Sequence, residues 1–232
     1  MSNVRPNKFI SISGFIQVFV RTGRKFFALL VVTFYAKPMA LDKIKIAVFI
    51  DAGNLWNSYK KLGKTIDHKK LKEFFSAQFN GEIFKIFYYI AYPAIGTRPK
   101  ENLDKHHKFL TFLKKGLDFE VVKKPLKTIF LRDPNGDLLR NEDTGKPQSI
   151  EKGNFDVELT IDAIRYSKEY DLAILMTGDS DFLPLISYLK SLQPPKKVYI
   201  FSTEGSISQE LRTGGDNYFD LAKYPEIHRG KL

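Results

Sequence analysis

Four aspartates, Asp51, Asp156, Asp179 and Asp181, stand in three short strings: FIDAGN at 49–54, NFDVELTIDA at 154–163 and TGDSDF at 177–182. Each string places an acid where a strand or loop runs into a helix. If one sheet gathers these acids into a cleft, they repel: two unit charges 4 Å apart cost roughly 4 kcal/mol at an effective dielectric near 20. Divalent cations relieve such repulsion, and phosphate-ester chemistry is their usual purpose. The expected chemistry is metal-dependent phosphodiester hydrolysis, with Asp51, Asp156, Asp179 and Asp181 as catalytic and metal-ligating candidates. A lone Asp after a strand is more often a helix cap than a ligand. Three such positions with matching topology favour the ligand.

Polar and basic residues around these acids are candidates for holding substrate. Asn54 lies one tight turn beyond Asp51, and its amide suits a phosphate, a water or an N-cap. Thr177 and Ser180 carry hydroxyls that bridge carboxylate and phosphate or satisfy their own loop. Lys152, ahead of Asp156, and Arg212, in ISQELR, could neutralise a phosphate. Lys123, Lys124, Lys127 and Arg132 form a stripe that could track a nucleic-acid backbone, although a charge run is usually a solvated face. Asp162 falls about 120° around a helix from Asp156 and is a supporting or surface residue; Glu158 reads as solvated.

Parallel strands alternating with helices would position these residues. The apolar run 44–50 reads as a strand buried on both faces, and further strands are expected at 83–91, 119–122, 172–176 and 198–201. Helices are expected at 54–62, 67–79, 101–115, 156–166, 182–192 and 206–213, with an edge strand at 218–221. The proline-rich stretch 92–100 reads as a loop. Turn signals RDPNGD and NEDTGK suggest that 128–131 pairs with 138–140 as a hairpin. The reading is an α/β fold with a mostly parallel sheet of five or six strands in order 3-2-1-4-5 and helices on both faces. Asp51 and Asp179 would then face one crevice at the carboxyl ends of neighbouring strands.

The chain has 232 residues, 43% of them hydrophobic and 27% charged, which suits one globular domain with an ample core. Cysteine is absent, excluding disulfides and thiolate metal sites, so a metal must be held by oxygen or imidazole. This fits a reducing, cytoplasmic setting. The net charge of +11 is concentrated: residues 1–38 hold six basic side chains and no acid, and without them the charge falls to +5. The body is mildly basic, compatible with nucleic acid without demanding it.

Residues 1–40 are set apart as an N-terminal extension. Their apolar run 26–36 is too short to span a bilayer, which needs roughly 20 residues. It suits a signal-peptide core, and the lack of acids suits a transit segment. The alternative is that translation begins at Met39, whose MALDKIKIAVFID opens straight into the first strand. Membrane contact is expected only if residues 1–38 are translated.

Other motifs fail. LGKT at 62–65 lacks the first glycine of a phosphate-binding loop, because position 58 is serine. DPNGD at 133–137 lacks the bidentate glutamate of a calcium loop. Adjacent His106 and His107 diverge on a helix. Phosphatases of the haloacid dehalogenase type need a second acid where Gly53 stands.

The strings FIDAGNLWNSYK, VVKKPLKTI, KGNFDVELTIDA, MTGDSDFLPLISYLK, SISQELR and GDNYFDL occur in the order and spacing of a known family. The chain resembles the NYN domain family, in particular its LabA-like branch, from Lys43 to Ala222. That resemblance implies a PIN-like Rossmannoid three-layer sandwich over residues 43–222, followed by a tail at 223–232. It implies a ribonuclease site dependent on Mg²⁺ or Mn²⁺, with RNA as partner and no small organic cofactor. The family's acidic positions fall on Asp51, Asp156, Asp179 and Asp181, with Asn54 as polar partner. Gly214 and Gly215 stand before Asp216 where the family often carries an alanine pair. The competing expectation is a non-catalytic RNA-binding or regulatory module of the same fold, and a homo-oligomer is compatible with either.

Overall fold

The computed structural model describes residues 9–12, 15–22, 25–31, 43–93 and 98–229. The chain divides into two compact units, Met1–Asp42 and Lys43–Leu232. In the first, β1 (Phe9–Ile12), β2 (Phe15–Thr22) and β3 (Lys25–Val31) pair antiparallel in that order. The apolar run 26–36 contributes to β3 through Val31; residues 32–36 and Met39 lie outside the described residues. No helix among the described residues is long and apolar enough to cross a membrane.

The second unit is built on β4 (Lys45–Asp51), whose interior residues Ile46 to Ile50 are fully buried. Parallel strands covered on both faces read as unbroken apolar runs, and β10 (Leu172–Met176) shows the same pattern. Between them in the chain lie β6 (Glu82–Tyr92) and β7 (Glu120–Pro125); β11 (Lys197–Ser202) and β12 (Asn217–Asp220) follow. The six strands pair in the order β12-β11-β10-β4-β6-β7, every pair parallel. Numbered along the chain this is the expected 3-2-1-4-5 order with the edge strand added as a sixth.

Helices α1 (Ala52–Leu62), α2 (His68–Gln78) and α3 (Lys100–Thr111), the last ending in a π turn at Phe112–Gly116, cover one face. Helices α4 (Asp156–Arg165), α5 (Leu183–Ser191) and α6 (Gln209–Gly214) cover the other. Ile46, Val48 and Ile50 of β4 point into the first core, and Ala47 and Phe49 into the second. This is the period-two alternation of a central strand. A short pair, β5 (Thr65–Ile66) with β13 (His228–Arg229), ties the C-terminal segment beside α2.

The expected hairpin is corrected. The strand after β7, β8 (Lys127–Phe130), pairs with β9 (Ser149–Lys152) and not with residues 138–140. Those residues are held in the fold-back between, where isolated bridges join Arg132 to Leu138 and Arg140 to Pro147. Both turn signals form: Asp133 Oδ1 accepts from the Asn135 and Asp137 amides, and Asn141 Oδ1 from Asp143 and Thr144. Gly136 and Gly145 take φ of 92° and 64°, which other residues rarely adopt. Two consecutive turns use up the middle strand, so the chain returns to pair β8 only at Ser149.

Candidate active site

Asp51 closes β4 and caps α1, its Oδ1 accepting the Gly53 and Asn54 amides at 3.0 and 3.2 Å. The cap reading holds, and it leaves the second carboxylate oxygen outside those two bonds. One strand away, β10 ends in Thr177-Gly178-Asp179. Asp179 Oδ1 accepts the Asp181 amide at 3.0 Å and so starts a 3₁₀ turn, Ser180–Phe182, that leads into α5. Asp156 occupies the first turn of α4, where a carboxylate is favoured by the helix dipole. Asn154 fixes it twice, accepting the Asp156 amide at 2.8 Å and donating its own amide to Asp156 Oδ2.

Asp156, Asp179 and Asp181 each place a carboxylate oxygen within 4.8 Å of the others. Asp51 lies outside that trio, but its carboxyl still feels the charges of Asp156 and Asp179. Burial pushes the Asp51 carboxyl above the usual carboxylate range against the pull of the Asn54 and Gly53 amides, and the two neighbouring acids add to the rise. Asp156 is raised likewise, by burial and then by Asp179 and Asp181, with Asn154 and Lys152 opposing. Such proton affinity marks carboxylates crowded without a counter-charge. The donor set is all oxygen, matching hard divalent cations.

The remaining expected residues divide. Asn54 joins the two loops: its Oδ1 accepts the Gly178 amide at 2.9 Å. Lys152, at the end of β9, is exposed and close enough for its charge to act on Asp156. Ser180 lines a polar cleft of about 520 Å³ together with Asn57, Lys61, Asp179, Ser206 and Ser208. Thr177 is buried, and its hydroxyl accepts the Asp179 amide at 3.3 Å; it serves the loop's backbone and does not line that cleft. The Arg212 guanidinium is taken up by Glu204 at 3.3 Å and by the face of Tyr218 at 5.0 Å. Glu158, expected to be solvated, is paired with Lys124 at 2.7 Å, which removes Lys124 from the basic stripe. Asp162 is buried between the Tyr89 hydroxyl and Arg165, a structural place.

Four contributors escaped the sequence reading. Asn154 was passed over although N-x-D before a helix is the pattern of a side-chain turn. Asn57 and Lys61 fall three and seven residues after Asn54, the spacing of a single helix face, and that was the available signal. Lys61 reaches across the cleft to the Gly205 carbonyl at 3.1 Å. Ser206 is set by Gly178: a Cβ there would lie 2.0 Å from the Ser206 carbonyl oxygen, so only glycine admits this approach.

Residues 45–222 match the NYN domain, and the chain belongs to that family. It is 27% identical over 183 residues to the low amplitude and bright protein LabA of Synechococcus elongatus, covering 79% of this chain and 87% of that protein. A crystal structure of a protein of unknown function from Vibrio parahaemolyticus superposes with a TM-score of 0.55 at 24% identity, covering 82% of this chain and 99% of that one. The fold, a parallel six-stranded sheet with helices on both faces, is consistent with a PIN-like NYN domain.

Proposed function

We propose that this protein is a ribonuclease that hydrolyses RNA phosphodiester bonds with Mg²⁺ or Mn²⁺. The observation that carries the reading is the convergence of Asp156, Asp179 and Asp181 within 4.8 Å, drawn from two segments of an NYN domain. These three would hold the cation, with Asp51 completing the set beside them. A bound divalent ion supplies a nucleophilic water and offsets charge on the leaving oxygen. Asn54 keeps the Asp51 and Asp179 loops in register through its bond to Gly178. Lys152 lends positive charge beside Asp156, where a phosphate would arrive. Water adds at phosphorus, the bond to the leaving oxygen breaks, and the water's proton passes to the surrounding carboxylates or solvent.

Strand order supports this reading. Along the carboxyl ends lie β7, with the β8–β9 ribbon that follows it, then β6, β4 with Asp51, β10 with Asp179, and β11 with the 203–208 loop. From β7 to β11 is four inter-strand spacings, roughly 19 Å. A strand of RNA crossing that edge would pass from ribbon to carboxylates to polar cleft. The test is cleavage of single-stranded RNA by wild type and Asp179→Asn with Mg²⁺, Mn²⁺ or EDTA. Metal-dependent cleavage lost in the variant supports the reading; no cleavage by wild type with either metal overturns it.

A further inference from the structure

All eight residues of the β8–β9 ribbon are exposed. A lone two-stranded ribbon is marginal in water without a third strand or a packed face. Residues opposite one another across the ribbon are Lys127 and Lys152, Thr128 and Glu151, Ile129 and Ile150, Phe130 and Ser149. Side chains alternate between faces, so Lys127, Ile129, Ile150 and Lys152 share one face. The opposite face is anchored, since Glu151 bonds Arg98 at 2.5 Å in the segment before α3.

The first face combines two features the fold does not need. Lys127 and Lys152 are directly opposed like charges, an arrangement that destabilises a strand pair. Neither lysine forms an ion pair among the described residues, although the charge of Lys127 reaches Glu158 and that of Lys152 reaches Asp156. Beside them Ile129 and Ile150 leave 43% and 49% of their surface in water. An opposed lysine pair is relieved by a bridging polyanion, and adjacent apolar side chains suit the faces of unstacked bases. Grooves that bind single-stranded nucleic acid join positive charge for the backbone to side chains, usually aromatic, on which bases stack; here two isoleucines offer aliphatic surface for the same contact. A duplex hides its base faces and would gain nothing from the isoleucines.

We infer that this face is a track that seats single-stranded RNA and leads it to the carboxylates, resting on the ribonuclease reading for its direction. Lys127 and Lys152 bridge one phosphate or two consecutive ones, and Ile129 and Ile150 lie under the neighbouring bases. The track ends at Lys152, four residues before Asp156.

The test measures binding of a labelled, unstructured oligoribonucleotide by anisotropy in EDTA, where no turnover is needed. For Lys127→Ala/Lys152→Ala the affinity at low salt is expected to fall about tenfold, and the slope of log K against log salt to shrink by roughly 1.4, about 0.7 for each lost contact. Ile129→Ser/Ile150→Ser is expected to weaken single-strand binding while leaving duplex binding unchanged. Thermal melting reports the fold independently. Wild-type affinity and slope in the lysine variant, or equal losses on duplex and single strand in the isoleucine variant, would overturn the track. So would a concentration-dependent dimer abolished by Ile129→Ser/Ile150→Ser, which would assign the face to a second copy of the chain. Binding by wild type without cleavage under any metal would sink the ribonuclease reading and leave the track standing.

Discussion

Asn54 Oδ1 accepts the Gly178 amide at 2.9 Å, joining residues 124 positions apart across the carboxyl ends of β4 and β10. That bond fixes the distance between the loop bearing Asp51 and the loop bearing Asp179. Asn54→Ala leaves the Gly178 amide without its acceptor, at a cost of about 1–3 kcal/mol. Reduced stability in urea and at least a tenfold loss of RNA cleavage are expected. Asn54→Asp keeps an acceptor at the same place but adds a charge to crowded carboxylates, so it should recover only part of the stability and of the rate.

Gly178 is the tighter constraint. Any Cβ would meet the Ser206 carbonyl oxygen at 2.0 Å and its carbon at 2.7 Å, both backbone atoms that cannot swing aside. Gly178→Ala should cost about 3 kcal/mol by overpacking. Chemical denaturation would show it as a lower midpoint with unchanged cooperativity, accompanied by loss of cleavage.

Crowded carboxylates give a readout that needs no substrate. Adding Mn²⁺ to the metal-free protein should raise its melting temperature, by the equivalent of about 2.7 kcal/mol at a hundredfold excess over Kd. Asp179→Asn removes one charge from the trio while retaining a side-chain acceptor for the Asp181 amide. Its metal-free melting temperature should equal or exceed wild type, and the Mn²⁺ response should vanish. Differential scanning fluorimetry with and without EDTA distinguishes these outcomes.

His68 gives the protein an acid-sensitive point outside the carboxylate cluster. Its ring sits among Tyr88, Phe109 and Phe119, with Nε2 buried and unpartnered. Burial pushes its pKa down to about 4 from 6.5, against the raising effect of Asp67 and with a lowering contribution from Arg229. The unfolded chain therefore takes up the proton first. The stabilising contribution is complete above pH 6.5, is lost as pH falls toward 4, and amounts to about 3 kcal/mol at most. His68→Phe should flatten the stability profile between those values relative to wild type, measured by urea unfolding at a series of pH values.

The core of this fold was legible because parallel strands covered on both sides must be apolar throughout. Residues 46–50 and 172–176 show this without interruption, and they fix the neighbours that carry Asp51 and Asp179. Turns were legible too, since Asn, Asp and Gly at 133–137 and 141–145 leave little choice. What the turns connected was not. Short strands whose every residue is exposed carry no burial pattern, so the local pattern of residues 127–152 does not encode the pairing of β8 with Ser149–Lys152. The same limit explains Arg212. Its partners Glu204 and Tyr218 come from a loop and an edge strand whose approach depends on the finished sheet. Thr177 was ambiguous until its neighbours were placed, because a hydroxyl serves its own loop or a ligand with the same chemistry.

The order in which the site's parts leave the ribosome follows from their order along the chain, which differs from the order of the strands in the sheet. Asp51 is present early, but β10, which brings Asp179 and Asp181 beside it, is made more than a hundred residues later. A nascent or prematurely terminated chain ending before residue 172 carries at most Asp51 and Asp156, with no neighbouring strand to bring in the other two acids. If the proposed ribonuclease site is right, such a fragment lacks two of its four carboxylates and should not cleave RNA, so the site forms only once β10 and the loop after it have been made.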